Sequence, residues 1–175
     1  YRDLFEAWSE RYPTTEANPH AAADAYLQHS RGFPLKRLEG AYTQEWYQDR
    51  DRGMGSATVR FPLPNGAWWE RLIDRPERFG KMKARFAPGK KIHGQWWAMH
   101  DTAAEPKELW LTEGIFDTIA LELSGVASRA LLSCNNYPDH ALAELAQTCA
   151  ATGRERPVLI FALDDGAAGK QYMRK

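Results

Sequence analysis

Two short apolar runs in this sequence each end in carboxylates, and these acids are the residues best suited to chemistry. The first run is followed by Glu113 and, four residues further on, by Asp117. The second is followed directly by Asp164 and Asp165. Carboxylate oxygens from separate loops are the ligands that hard divalent cations such as Mg²⁺ accept in proteins. The pattern predicts a metal site formed by these four acids.

Glu113 is also a candidate catalytic residue. Neighbouring negative charges raise the pKa of a carboxyl group, which makes Glu113 a plausible general acid or base. Gly114 permits a tight turn and the close approach of a ligand. A different explanation exists for the aspartates, because Asp117 can complement a helix dipole and Asp164 can cap a following helix. Two acid-tipped strands in one sheet favour the metal site.

The two apolar runs have the length and composition of buried parallel strands. Strands are predicted at residues 108–113, 128–133 and 156–163, with helices at 116–124 and 138–148 between them. Strands and helices that alternate at this spacing predict right-handed crossovers and a parallel sheet. Acids at the carboxyl ends of such strands meet at one sheet edge, where open α/β sheets place their sites.

Upstream of this sheet, the sequence predicts helices followed by a small antiparallel sheet. Apolar residues at helical spacing indicate helices at residues 1–11 and 19–30. Asn65-Gly66 lies between two alternating runs, which is a strong hairpin signal. Further strands are predicted near residues 83–86 and 92–99. The expected fold is therefore α/β, or α+β overall.

Charge is distributed unevenly although the formal net charge is zero. Residues 31–100 carry a net charge of +7, whereas residues 1–30 and 101–175 carry −3 and −4. A basic middle beside an acidic end is typical of a polyanion-binding surface next to a cation site. The same bias also occurs on solvated faces that bind nothing. We predict an N-terminal basic subdomain at 1–104 and a parallel-sheet subdomain at 105–175.

Basic and aromatic residues interleave in the predicted antiparallel sheet. Cations bind phosphates and flat rings stack on unpaired bases, so the combination favours single-stranded nucleic acid. Most of the tryptophans are equally well explained as the core of a small sheet, whereas the cations still require a partner. The candidate nucleic-acid or nucleotide ligands are Arg60, Arg71, Lys81, Lys83, Arg85, Lys90, Lys91 and Lys170.

Several classes of protein are excluded by what the sequence lacks. Two cysteines, Cys134 and Cys149, are too few for a disulfide framework or a zinc site. The sequence shows no signal peptide and no apolar run long enough to cross a bilayer. It therefore predicts a soluble, cytoplasmic protein without a membrane partner. The sequence begins at Tyr1 without Met and ends within a helical pattern, which indicates a fragment of a longer chain.

The two acidic motifs carry a family resemblance. Leu-Thr-Glu113-Gly-Ile-Phe-Asp117, followed by Phe-Ala-Leu-Asp164-Asp-Gly-Ala-Ala-Gly-Lys170, resembles the TOPRIM domain. Bacterial-type primases, topoisomerases and some nucleases share this domain. A topoisomerase requires a nucleophilic tyrosine in a separate domain, and nothing in this sequence supplies that context.

Upstream motifs narrow the resemblance to primases. Tyr26-Leu-Gln-His-Ser-Arg31-Gly32, then Ala57-Thr-Val-Arg-Phe-Pro, Glu70-Arg71-Leu and Lys83-Ala-Arg-Phe-Ala-Pro-Gly resemble the catalytic core of bacterial primases and follow that family's order. The likeness covers the chain from about residue 25 to its end. Primase-like proteins of plasmids and integrative elements are particularly similar.

This resemblance implies an activity, cofactors and partners. The expected reaction is synthesis of RNA primers on a single-stranded DNA template, from nucleoside triphosphates, with Mg²⁺ or Mn²⁺. It implies that Glu113 is catalytic and holds metal together with Asp117 and Asp164. By position, Arg71, Lys83 and either Lys90 or Lys91 would hold template and incoming nucleotide. A replicative helicase is a candidate partner.

One position departs from the family pattern. The family has Asp-x-Asp after the third strand, and its second acid would fall at Gly166. Alternate residues of an extended segment share a side, so Asp165 can substitute only if the strand has already turned. Two hypotheses remain, a metal site rebuilt around Asp165 or a weakened one. The family's closing strand is also missing or lies beyond this sequence.

Two alternative functions therefore stay open beside the primase. A metal-dependent nuclease would use the same fold and the same acidic edge. A non-catalytic module that binds single-stranded nucleic acid would retain the basic sheet while its metal site has decayed, and Gly166 favours this alternative.

Overall fold

The computed structural model describes residues 6–90, 92–100, 106–133 and 135–164 of the 175-residue chain. The chain divides into two compact units, Tyr1–Lys90 and Lys91–Lys175. The first contains a four-stranded antiparallel sheet and the second a three-stranded parallel sheet. Helices accompany both sheets, which confirms the predicted α+β fold class.

Helices of the first unit are short. They are α1 (Trp8–Arg11) and α2 (Ala21–Ala25), which continues as one π-helical turn over Tyr26–Ser30. Single 3₁₀ turns cover Leu35–Arg37, Pro64–Gly66 and Pro76–Phe79. Small buried side chains, Ala22 and Ala23, allow α2 to pack closely. The backbone N–H of Ala23 donates to Gln44 Oε1 at 2.8 Å, which ties α2 to the first strand.

The antiparallel sheet follows the order of its strands in the chain. They are β1 (Thr43–Asp49), β2 (Met54–Pro62), β3 (Trp68–Leu72) and β4 (Ala84–Phe86), each antiparallel to its neighbour. The hairpin predicted at Asn65-Gly66 is confirmed as the β2–β3 connection. Strand β1 has no counterpart in the predictions from sequence, because it is a largely exposed edge strand with little apolar alternation.

The second unit contains the predicted parallel sheet. Its strands are β5 (Glu108–Thr112), β6 (Ser128–Ala130) and β7 (Val158–Ala162), in the order β6-β5-β7. Helices α3 (Ile115–Leu123) and α4 (Asp139–Thr152) form the crossovers. Leu109, Leu111 and Leu131 form the buried centre of its core. The apolar composition of β5 is thus explained by its central position, with a strand on each side.

The boundary between the units lies at residues 90/91 rather than at the predicted 104/105. Trp97 pairs with Ala130 of β6, and Gly94 N–H donates to Asn136 Oδ1 at 3.0 Å, so this segment belongs with the parallel sheet. The strand predicted at 92–99 is therefore wrong, apart from the single bridge at Trp97. The positive φ of Gly94, +78°, turns the chain and prevents an extended run there.

No helix within the described ranges is long and apolar enough to cross a membrane. Cys149 is buried and has a free thiol, whereas Cys134 lies outside the described residues.

Candidate functional site

The carboxyl edge of the parallel sheet brings two of the predicted acids together. Thr112 at the end of β5 pairs with Ala162 at the end of β7. Glu113 follows Thr112 directly, and Asp164 follows Ala162 by two residues, so both extend from neighbouring strand ends. Glu113 lies in the centre of the edge because β5 is the middle strand.

Glu113 is electrostatically coupled to the other two described acids. Burial raises the pKa of the Glu113 carboxyl above its ordinary value, and the negative charges of Asp164 and then Asp117 raise this pKa further. Such coupling falls off steeply with distance and with exposure to water. The three carboxylates therefore share one part of the sheet edge, as the strand pattern predicts.

Asp117 approaches this edge through the turn between β5 and α3. Gly114 is the N-cap residue of α3, and Asp117 lies in the first helical turn. A Cβ built on Gly114 would lie 2.7 Å from Asp117 Oδ2, so the carboxylate folds back over the backbone of this glycine. The position also complements the helix dipole. The position of Asp117 is therefore compatible with both explanations, a metal ligand and an acid that complements the helix dipole.

Buried hydroxyl groups beneath the turn hold its backbone in place. Thr112 Oγ1 donates to the carbonyl oxygen of Gly114 at 3.1 Å and lies 2.7 Å from Thr118 Oγ1. The N–H of Thr118 donates to the same carbonyl at 3.2 Å, and Ser128 Oγ donates to the carbonyl of Thr118 at 3.0 Å. Thr112, Thr118 and Ser128 are all buried. This network fixes the turn that carries Glu113, although none of the three hydroxyls was predicted to have a role.

The carboxylates do not form a ready-made ligand shell. Among the described residues, no three or more His, Cys, Asp or Glu side chains are gathered closely enough to hold a metal ion. Mg²⁺ keeps several waters and is commonly bound by only one or two carboxylates. The oxygen donors present at this edge fit such a loosely held ion.

Three predicted site residues, and the position at which the family's second acid was expected, fall where the structure offers no description. Lys91, Asp165, Gly166 and Lys170 lie outside the described residues. The choice between a metal site rebuilt around Asp165 and a weakened one is therefore still open, as is the proposed capping role of Asp164.

The predicted basic residues do not form one cluster. Arg60 pairs across the strands with Glu70, and Glu70 pairs with Arg85, so these three share one face of the antiparallel sheet. Arg71 is next to Glu70 in β3 and therefore lies on the opposite face. Lys83 extends the β4 ladder, since its carbonyl accepts the N–H of Leu72 at 3.1 Å, which places it on the face of Arg85.

Charge pairing also separates these cations. Arg60 and Arg85 both contact the carboxylate of Glu70. Arg71 is half-buried, and its buried Nε has no hydrogen-bond partner within the described part of the chain. The exposed side chains of Lys81, Lys83 and Lys90 form no ion pair with any described residue. A buried guanidinium nitrogen without a partner is costly, which makes Arg71 the best candidate among them to receive an anion.

Most of the tryptophans of the basic sheet were expected to be core residues. Trp97 is fully buried, but Trp68, Trp69 and Trp96 are only half-buried. Trp46, in the strand that was not predicted, is 57% exposed. The interpretation as core residues is therefore only partly correct.

Glu70 is the principal residue that the sequence reasoning missed at this surface. Its position opposite Arg60 depends on the register of the β2–β3 hairpin. The sequence contained the hairpin signal, but the 3₁₀ turn at Pro64–Gly66 sets the pairing register of β2 and β3, which the sequence alone does not reveal.

Comparison of the chain with models of protein families, with curated proteins and with solved structures found no match. The resemblance to the TOPRIM domain accordingly rests on the motifs and stays a prediction.

Proposed function

We propose that this chain is a metal-dependent nucleotidyltransferase of the TOPRIM class. Within that class, the best-supported function is that of a DNA primase core, which synthesises RNA primers on single-stranded DNA. The observation that carries the proposal is the coupling of Glu113, Asp117 and Asp164 at one edge of a parallel sheet.

The proposed metal ligands are Glu113, Asp117, Asp164 and Asp165, with Mg²⁺ or Mn²⁺ as the ion. A bound divalent cation would lower the pKa of the primer hydroxyl and neutralise charge on the triphosphate. Burial and the charges of Asp164 and Asp117 raise the pKa of Glu113 in the metal-free chain, and a bound cation would oppose this shift. Glu113 would accept the proton of the primer 3′-hydroxyl as that oxygen bonds to the α-phosphorus and pyrophosphate leaves.

Basic residues of the first unit are the proposed ligands of template and nucleotide. The half-buried Arg71 would bind phosphates and stabilise the charge on departing pyrophosphate, together with Lys81, Lys83 and Lys90, which form no ion pair with a described residue. Lys91 and Lys170, which lie outside the described residues, belong to the same proposal. A cytoplasmic location, a replicative helicase partner and an origin in a mobile element belong to this proposal as well.

The proposal is tested by primer synthesis with labelled nucleoside triphosphates on single-stranded DNA, in Mg²⁺ and in Mn²⁺. Glu113→Gln should reduce product by about 100-fold or more, because it removes a proton acceptor at nearly constant volume. The matched control is Glu16→Gln, which changes an exposed acid of the first unit and should leave the rate unaffected. Absence of product from the wild-type chain in both metals would contradict the proposal.

A second candidate is a non-catalytic module that binds single-stranded nucleic acid. It is favoured by the lack of a three-residue ligand group in the described part of the chain. The same reaction mixture discriminates the candidates, since binding without product supports the module and strand cleavage supports a nuclease.

Titration of Mg²⁺ or Mn²⁺ into wild type and Asp165→Ala, followed by calorimetry, tests whether the metal site is rebuilt around Asp165. Equal affinities would remove Asp165 from it.

A further inference from the structure

We propose that one face of the antiparallel sheet binds a phosphodiester group of single-stranded nucleic acid, and that Glu70 is the positioning residue of this site. The surface, here called the Glu70 site, consists of Tyr47, Arg60, Trp68 and Arg85 around Glu70. The inference rests on the proposed function, because its ligand is the template strand. It goes beyond that function by assigning a metal-independent subsite and the residue that organises it.

The strand register sets one acid between two bases. Arg60 of β2 lies opposite Glu70 of β3, which lies opposite Arg85 of β4. Cross-strand partners project from the same face, so the three charges stand in a row. Arg60 donates to Glu70 Oε2 from Nε at 2.9 Å, and its Nη2 lies 2.8 Å from the same oxygen. Thr58 Oγ1 also donates to Oε2, at 3.1 Å.

Burial within this row is unequal. The side chain of Glu70 is 1% exposed, whereas those of Arg60 and Arg85 are each 25% exposed. A buried carboxylate costs desolvation energy, and an apolar residue of similar size often stabilises a fold equally well or better. Fold stability alone therefore does not explain why a glutamate is buried at position 70. Its structural effect is to hold two guanidinium groups in defined positions at the surface.

Arg85 keeps free hydrogen-bonding capacity. Its Nε lies 3.6 Å from Glu70 Oε1. Among the described residues, its two terminal nitrogens have no hydrogen-bond partner. Arg60 is more fully engaged, because its Nη1 also lies 3.8 Å from Glu45 Oε1. The free edge of Arg85 matches the paired oxygens of a phosphate, which guanidinium groups bind through parallel hydrogen bonds.

The charge of the Glu70 site selects one source of phosphate. Arg60 and Arg85 face two acids, Glu70 and Glu45, and Lys83 lies on the same face, so these five side chains carry only one excess positive charge. A triphosphate with several negative charges would be repelled by both acids. A phosphodiester carries a single charge, which the free edge of Arg85 suffices to bind. The balance therefore favours a polynucleotide backbone over an incoming nucleotide.

Two aromatic rings hold the arginines in place. Arg85 Cζ lies 4.6 Å from the ring centre of Tyr47 and 5.2 Å from that of Trp68. Arg60 Cζ lies 4.1 Å from the ring centre of Trp68. A guanidinium restrained in this way loses little side-chain freedom when it binds.

The test is fluorescence anisotropy of a labelled oligo(dT) strand, titrated in EDTA at several salt concentrations. Arg85→Ala should weaken binding about tenfold and reduce the slope of log K against log salt by about 0.7, the value for one phosphate contact on a single strand. The matched control is Arg50→Ala, which removes an equal charge from the exposed β1–β2 turn and should change affinity less than about twofold.

Two further variants separate positioning from simple attraction. Glu70→Gln removes a negative charge, so a surface that acts only by charge would bind more tightly. The Glu70 site predicts weaker binding instead, because both guanidinium groups lose their anchor. Arg85→Lys keeps the charge next to Glu70 and protects the fold, and it should bind less tightly than wild type with an unchanged salt slope. Circular dichroism confirms that each variant is folded.

Each outcome has one meaning. Equal losses in Arg85→Ala and Arg50→Ala, tighter binding by Glu70→Gln, or competition by nucleoside triphosphate for the Arg85-dependent binding would overturn the inference. Failure of the wild type to bind oligo(dT) would overturn it as well. Loss of binding in Arg85→Ala without any Glu113-dependent primer synthesis would support the Glu70 site and refute the primase. If primers are synthesised but Arg85→Ala and Arg50→Ala lose equal oligo(dT) affinity, the Glu70 site is refuted and the primase proposal stands.

Discussion

The carboxylate of Asp117 lies directly over the backbone of Gly114, the residue that joins β5 to α3. A side chain at Gly114 would bring a Cβ to 2.7 Å from Asp117 Oδ2, closer than such atoms approach. The φ of Gly114 is −110°, an ordinary extended value, so the glycine is required for space and not for backbone conformation. Any substitution there must displace the acid.

Gly114→Ala should therefore weaken metal binding while leaving the fold nearly intact. Displacement of a side chain that supports a metal site typically costs about 10- to 100-fold in affinity, and we expect the lower end of this range. The loss of stability should be about 1 kcal/mol or less, because alanine is a poorer N-cap residue than glycine. Calorimetric titration of Mn²⁺ and urea denaturation measure the two effects.

Gly125→Ala provides the opposite control. Gly125 follows the end of α3 with a φ of +83°, which strains any residue that has a Cβ. This variant should lose about 1 kcal/mol of stability and keep its metal affinity. If both glycine variants weakened metal binding equally, the proposed role of Gly114 would be lost.

Glu113→Gln should stabilise the protein at neutral pH. The pKa of Glu113 is raised in the folded chain, so between its ordinary value of 4.5 and the raised value the folded state binds more protons than the unfolded state. Stability conferred by this proton is present below pH 4.5 and falls as the pH rises through the raised pKa. The glutamine variant has no ionisable group at position 113, so its stability does not fall in this way as the pH rises. Urea denaturation from low to neutral pH should show a gain that grows with pH, and a constant difference would argue against a raised pKa of Glu113.

Thr118→Val should destabilise the second unit by about 1 kcal/mol, because it removes the hydroxyl that lies 2.7 Å from Thr112 Oγ1 in a buried position. Thr118→Ser keeps the hydroxyl and should retain the hydrogen bond, although it loses a methyl group. Equilibrium denaturation of both variants, together with Mn²⁺ affinity, tests the role of the network. Equal metal affinity in the valine and serine variants would show that the hydroxyl does not position the acidic edge.

Asp74→Ala should destabilise the first unit strongly, by about 3 kcal/mol. Asp74 is 3% exposed and accepts hydrogen bonds from Ser9 N at 2.9 Å, Ser9 Oγ at 2.6 Å and Ala57 N at 2.7 Å. Asp164→Asn changes an exposed acid and should alter stability by less than about 0.5 kcal/mol. Thermal or urea denaturation separates the two roles, and similar losses would contradict the assignment of Asp164 to a functional edge.

The predicted parallel sheet was recoverable from sequence because its signals are local. Apolar runs, turn residues and helical periodicity lie within a few residues of one another in β5, α3 and β7. Right-handed crossovers are predicted by the same local signals, whereas the strand order β6-β5-β7 was not predicted from sequence. The shared edge of Glu113 and Asp164 needs no more information than this.

Strand β1 and the segment around Trp97 were not recoverable in the same way. β1 is an exposed edge strand whose composition resembles a polar loop, and only its ladder with β2 makes it a strand. The segment around Trp97 reads as a strand, yet Gly94 and its contact with Asn136 turn it. In both cases, the deciding partner is far away in the sequence.

The sequence by itself determined which acids are candidates for chemistry at the carboxyl edge of the parallel sheet, because each strand end and the acid that follows it are adjacent in the chain. Only the tertiary structure decided how the basic residues are divided. Arg60 and Arg85 share a face and a buried acid, while Arg71 lies on the other face. This division depends on a register of side chains with period two, where a shift of one residue reverses every assignment. Turn geometry and burial fix that register, and composition does not encode either.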